Sequence, residues 1–153
     1  MSLLQHARSF RDLIVYQKAR VVAKRIFEIT KRFPREEMYS LTDQARRSSR
    51  SVGAQITEAW AKRRYEKHFV SKLTDADGEQ QETQHWIETA ADCEYLTAEE
   101  VRSLTGELAE IGRMLNSMME KSTSFCGDPS SALHEPVTEY YTTSADASPM
   151  TDN

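Results

Sequence analysis

The chain has 153 residues, 29% charged and 39% hydrophobic, with a formal net charge of -4; that length supports one hydrophobic core rather than two. No apolar run approaches the roughly 20 residues of a membrane span, and MSLLQHARSF lacks a basic start followed by an apolar core, so neither membrane insertion nor export is expected. Cys93 and Cys126 stand far apart and outside any CxxC pairing, which suits a reducing cytoplasm and excludes a disulfide framework or a zinc site.

Four segments repeat apolar residues at helical spacing, and none alternates as a strand would. The first runs from about Phe10 to Lys31, with Leu13, Tyr16, Ala19, Val22, Ala23, Ile26 and Thr30 along one side. Phe33-Pro34 stops it, because proline disfavours helical backbone in the residue before it. The second, from about Glu37 to Arg64, repeats Leu41, Ala45, Ser48, Val52, Ile56 and Ala59. The third, from Tyr65 or Glu66 to Cys93, repeats Phe69, Leu73, Ala76, Gln80, Thr83, Ile87 and Ala90. Gln80 and Thr83 are polar for a core, so this layer is expected to be weak or completed by another chain. A break at Glu94-Tyr95-Leu96 precedes Thr97-Ala98-Glu99-Glu100, a capping box that opens the fourth helix. That helix carries Val101, Leu104, Leu108, Ile111, Leu115 and Met118.

Four long helices with short connections bury their stripes by returning alongside one another. The expected fold class is therefore all-α, an antiparallel up-down-up-down four-helix bundle over residues 10–121, preceded by an N-terminal arm at 1–9. Residues 122–153 hold no Arg or Lys, three prolines and five acids, and read as a flexible acidic Ser/Thr-rich tail in which Tyr140-Tyr141 can dock.

Charge is unevenly distributed. Residues 1–72 hold 17 Lys/Arg against 7 Asp/Glu, and residues 73–153 hold 3 against 17. A basic half and an acidic half can attract a polyanion, or can bind each other within the bundle or between subunits.

Residues 10 to about 96 carry Phe10-Arg11-Asp12-Leu13, Tyr16, Lys18-Ala19, Phe33-Pro34, Glu37, Tyr39, Leu41, Gln44, Arg46-Arg47, Ser51-Val52, Ile56, Glu58, Ala76, Gly78, Glu82 and Tyr95-Leu96 in order. In this order and spacing they resemble the bacterial 23S rRNA intervening-sequence protein family, the S23-type four-helix bundles. Gln55 and Ala59 depart from its central N-I-A-E-G motif, and Glu79 and Thr83 from the Ser and Leu often found after the glycine. The resemblance implies a bundle like those of members that assemble as five-fold rings. It also implies kinship with accessory proteins of diversity-generating retroelements, which turn a basic surface toward nucleic acid and a reverse transcriptase.

On a wheel of about 100° per residue from Leu41, the second helix's core positions cluster near 15°, with Arg46, Arg47 and Arg50 at roughly 140°, 240° and 180°. These arginines face away from the core and can neutralise several phosphates, with Lys62, Arg63, Arg64 and Lys67 extending the basic surface. The competing expectation is a solvated face, or ion pairs to the acidic helices of a neighbour. A pI near 5.6 and the lack of interleaved aromatics weigh against a dedicated RNA-binding domain. Ser49, Gly53 and Trp60 flank the core stripe at about 80°, 120° and 100° and form either part of a subunit interface or a contact within the chain.

Glu82 and His85 have the ExxH spacing of di-iron bundles, but a second ExxH and two further inward glutamates are missing and both residues point outward. His6, His68, His85 and His134 form no metal-binding pair, and no glycine-rich phosphate loop or activated nucleophile is present. The expected protein is a cytoplasmic, non-enzymatic binding or scaffold module without metal or cofactor. Its expected partners are itself, as a homo-oligomer and, as the resemblance implies, a pentamer, then RNA or DNA, or another protein.

Overall fold

The computed structural model describes residues 7–126, and every regular element in that span is helical. Four long helices, α1 (Ile14–Thr30), α2 (Asp43–Ala61), α3 (Glu66–Asp92) and α4 (Ala98–Glu120), are followed by a single turn, α5 (Ser122–Phe125). Each long helix packs on the next, and α1 packs on α4 as well, so the four form a closed helical bundle. The pairs Lys18–Glu110, Arg25–Glu107 and Arg32–Glu100 show that α1, with the turn that follows it, and α4 run in opposite directions. Ser48–Thr83 and Glu58–Lys72 show the same for α2 and α3.

The core follows the apolar periodicity closely. All seven expected positions of α3 and all six of the second helix are buried. On α4, Leu104, Leu108, Ile111, Leu115 and Met118 are buried with Met114, while Val101 is half-buried. On α1, Val15 takes the place expected for Tyr16, which with Ala23 is only half-buried.

That shift has a local cause. Phe10–Asp12 is a separate 3-10 turn rather than the start of α1, closed by a capping box in which Arg11 N donates to Ser9 Oγ (3.0 Å) and Ser9 N donates to the Asp12 carboxylate (3.1 Å). Leu13 is then extended (φ -69°, ψ 123°) and buried, so α1 begins at Ile14.

The second helix also begins later than its periodicity suggests. A 3-10 turn at Arg35–Glu37 leads into a π-helical segment, Met38–Thr42, before regular α2 starts. The wider turn lets both Leu41 and Thr42 face inward while Tyr39 stays 88% exposed. At its far end α2 stops at Ala61, short of Arg64, with Lys62 N bonded to both Glu58 and Ala59 carbonyls. α3 ends where Glu94 takes a left-handed conformation (φ 61°), which lets Tyr95 N reach the Ala90 carbonyl and Glu94 N that of Ala91.

The polar layer of α3 is completed inside the chain, contrary to expectation. Thr83 Oγ1 donates to Ser48 Oγ (2.8 Å), and Gln80 donates to Asp77 (2.9 Å) while accepting from Gln84 (2.7 Å). Gly112 of α4 leaves the room, because a Cβ there would sit 2.5 Å from Gln80 Nε2. Burial of hydrogen-bonded groups avoids most of the desolvation penalty that made this layer look weak.

The boundary drawn after Lys121 is corrected by α5. Ser122, Ser124 and Phe125 are buried, Phe125 stacks on Phe69 (centroids 5.8 Å apart), and Ser122 Oγ donates to Glu66 (2.6 Å). One aromatic side chain anchors a polar turn that composition alone assigned to the tail. Ala7 is likewise buried, although assigned to the arm. The rest of that arm, 1–6, and the rest of the expected tail, 127–153, lie outside the described residues.

Phe125→Ala should lower unfolding free energy by about 3 kcal/mol in urea denaturation, the usual cost of emptying a buried aromatic site; an unchanged midpoint would return residues 122–126 to the tail. Glu100 accepts from Arg32 and from Thr97 N (2.9 Å), bonds that hold its carboxyl below the usual carboxylate range. A depressed pKa contributes stability that is fully present above about pH 4.3 and is lost as pH falls through the folded value. Glu100→Gln should therefore be less stable than wild type at neutral pH and approach it in strong acid; a pH-independent gap in urea titrations would refute the assignment.

Candidate nucleic-acid interface

The seven basic residues singled out on and after α2 do not form one surface. Arg46 begins on the outward side of the helix, yet its long stem folds back toward α1, where Nε donates to Thr30 Oγ1 (2.9 Å). Its guanidinium lies 4.8 Å from the centre of the Phe27 ring, with Arg50 at 5.5 Å and Lys31 at 4.7 Å. Three cations thus share one aromatic ring, whose negative face stabilises each of them. Arg46 is half-buried and Arg50 exposed.

Arg47 turns the other way, toward α3. Burial beside Glu82 pushes the Glu79 carboxyl up, and Arg47 acts on it in the opposite direction. Lys62, Arg64 and Lys67 are exposed at the α2–α3 connection. That end of α2 lies about 24 Å from Arg46 at 1.5 Å per residue, so the basic stretch divides into two patches. Arg63 is occupied within the chain: its guanidinium covers Trp60 at 3.5 Å, and Nε donates to the Trp60 carbonyl (2.9 Å).

Two cations that the wheel of the second helix did not include complete the first patch. Arg20 and Lys24 of α1 line a groove between α1 and α2 with Arg50, Tyr16 and Phe27, a concavity of about 430 Å³ floored by small residues. Arg20 Nη1 donates to Tyr16 Oη (3.2 Å), which turns it along the groove. No acidic residue lines it. Among the described residues Arg20, Lys24, Arg46 and Arg50 form no ion pair, whereas Lys18 and Arg25 of α1, and Arg32 just after it, are each paired with a carboxylate of α4. Arg20, Lys24 and Phe27 recur at steps of four and three, so a wheel drawn for α1 carries the missing signal.

Ser49, Gly53 and Trp60 are all buried within a single chain, Trp60 at 9% exposure. Ser49 Oγ donates to the Arg46 carbonyl (3.0 Å). Gly53 faces Tyr16 of α1, whose ring would lie 3.6 Å from an added Cβ, an ordinary van der Waals distance, so α1 covers this position without requiring glycine there. Glu82 and His85 are both exposed on α3, with His85 edge-on to Trp86 (4.8 Å), and no group of three potential ligands for a metal forms among the described residues. Burial pushes the Cys126 thiol up to about 11, which keeps it protonated and poorly nucleophilic near neutral pH. No described helix is long and apolar enough to cross a membrane.

The family described as 23S rRNA-intervening sequence protein matches residues 11–117. A solved structure from Bacteroides thetaiotaomicron, a protein of unknown function from the S23 ribosomal protein family, is 31% identical and superposes with a TM-score of 0.64, covering 70% of this chain and 96% of that one. No curated protein matches. The match spans all four long helices, and the chain belongs to the 23S rRNA-intervening sequence protein family.

Proposed function

We propose that this protein is a non-enzymatic, cytoplasmic binding module, an up-down-up-down four-helix bundle that contacts the backbone of RNA or DNA through the face shared by α1 and α2. One observation carries this reading: Arg20, Lys24 and Arg50 line a groove without a carboxylate, with Arg46 beside it at the Phe27 ring, while Lys18 and Arg25 of α1 are ion-paired. Clustered like charges repel one another, and a polyanion relieves that repulsion while releasing its own counterions. Arg47, turned toward α3, and the Lys62, Arg64 and Lys67 patch lie outside this groove and offer separate, secondary contacts. Arg63 contributes less, because its stack on Trp60 holds it in place.

Labelled single- and double-stranded RNA and DNA, titrated by fluorescence anisotropy at rising salt, test this. Binding should weaken steeply with salt, and Arg46/Arg47/Arg50→Ala should reduce the slope by about 2 to 3, near one unit for each phosphate no longer neutralised. An absence of binding at low salt for all four probes would overturn the reading.

A second reading concerns assembly. Asp75, Glu79, Glu82 and Glu88 lie on α3, outside the α1/α2 groove, so the positive groove of one copy can meet the acids of α3 on the next. Such a head-to-tail contact closes into a ring when its rotation permits, and a pentamer is the form implied by the resemblance. The burial of Trp60 makes it a poor probe, since its substitution would disturb the chain itself. Glu82→Lys/Glu88→Lys changes only exposed positions and should lower the mass measured by light scattering in dilute salt; an unchanged oligomer would exclude this face.

A further inference from the structure

We propose that the α1/α2 groove is the docking site for this chain's own residues 127–153, held there by their carboxylates as an intramolecular competitor of the polyanion. The inference deepens the nucleic-acid reading and rests on it only for the competition, because docking itself needs no nucleic acid.

Charge complementarity is the first argument. Residues 127–153 hold Asp128, Glu135, Glu139, Asp146 and Asp152 and no lysine or arginine, and the groove presents Arg20, Lys24 and Arg50 with no acid among its lining. Arg46, drawn in beside Phe27, enlarges the same positive field, whereas Lys31 at that ring is paired with Glu28. Elsewhere the bundle offers less: α3 is acidic, and Lys18, Arg25 and Arg32 already have partners on α4. The nearer cations, Lys62, Arg64 and Lys67, are exposed and lie outside that concavity.

Reach is the second. Phe125 is anchored on Phe69 near the start of α3, and Cys126 is close enough to Arg63 and Glu66 for their charges to act on its thiol. The segment therefore leaves at the end of the bundle where α2 finishes. Glu135 and Glu139 lie nine and thirteen residues beyond Cys126, spans of up to about 30 and 43 Å when extended. The Phe27 cluster is about 24 Å from that end measured along α2, so the span to Glu139 covers this length with margin for the crossing from α3.

Shape is the third. Ala19, Ala23, Gly53 and Ala54 floor the groove between the rings of Tyr16 and Phe27. An aromatic side chain fits against such a floor, and Tyr140-Tyr141 follow directly after Glu139. Tethering then gives the segment a local concentration in the millimolar range, enough to compete with a polyanion although each contact is weak.

Zero-length carbodiimide cross-linking of the full chain, read by mass spectrometry on a mixture of 14N- and 15N-labelled protein, tests the docking. Cross-links from Lys24 and Lys31 to Glu135 or Glu139 within one isotope are expected, falling about tenfold in Arg20→Gln/Arg50→Gln, both exposed positions. Cross-links confined to Lys62 and Lys67, predominantly mixed-isotope cross-links, or none would each overturn it. In a separate arm, the five acids of the segment are changed to Asn or Gln in the full chain. Affinity for a single-stranded 20-residue DNA should then rise about tenfold at low salt, and unchanged affinity in a protein that binds DNA would overturn the competition. If neither protein binds this DNA, the competition is overturned, the four-probe titration decides the nucleic-acid reading, and the cross-linking result alone decides whether the segment docks.

Discussion

Lys18 and Arg25 of α1 and Arg32 just after it recur every seventh residue, and each meets a carboxylate of α4, at Glu110, Glu107 and Glu100. Ion pairs this exposed contribute little to stability, of the order of 0 to 1 kcal/mol each. Their larger effect is on the distribution of charge. They neutralise one side of α1 and leave Arg20 and Lys24, on its other side, facing α2 without compensation. The groove owes its sign to which strip of α1 finds acids and which does not. The net charge of -4 conceals this arrangement because most of the compensating acids lie on the opposite pair of helices or beyond Cys126.

Phe27 turns that excess into a defined geometry. Three cations brought within 5.5 Å of one ring would ordinarily disperse. The ring supplies attraction to each, Glu28 neutralises Lys31, and Thr30 adds a hydrogen bond to Arg46. The side chains that would meet a phosphate are thus partly ordered in advance, which lowers the entropic cost of binding for each immobilised side chain.

The stripes of α2 and α3 and the Thr97–Glu100 cap were legible in the sequence because they depend on backbone period and on hydrogen bonds three residues apart. The interior of the bundle follows from them. The candidate surface was legible only in part. A wheel assigns each residue the direction of its Cβ, and Arg46 has enough methylenes beyond that atom to reverse course onto α1. Arg63 likewise lies across Trp60 instead of standing in solvent. The roles of Arg20 and Lys24 emerge only when two helices lie side by side, which no single-helix projection contains. Phe125 escaped notice for a different reason: a buried ring among serines is invisible to averaged composition.

Gln80 and Thr83 also bear on how the helices align. A seam of apolar side chains alone would let α3 slide past α2 by a turn with comparable burial, since one buried methyl group is much like another. The Thr83–Ser48 bond and the fit of Gln80 over Gly112 cannot be reproduced one turn away, where donors would face alkyl groups and a Cβ would occupy the notch. The polar layer therefore works as a pin that selects one longitudinal setting of α3 against both α2 and α4, and the Thr83–Ser48 bond holds α2 at a single height only a half-turn from Arg50.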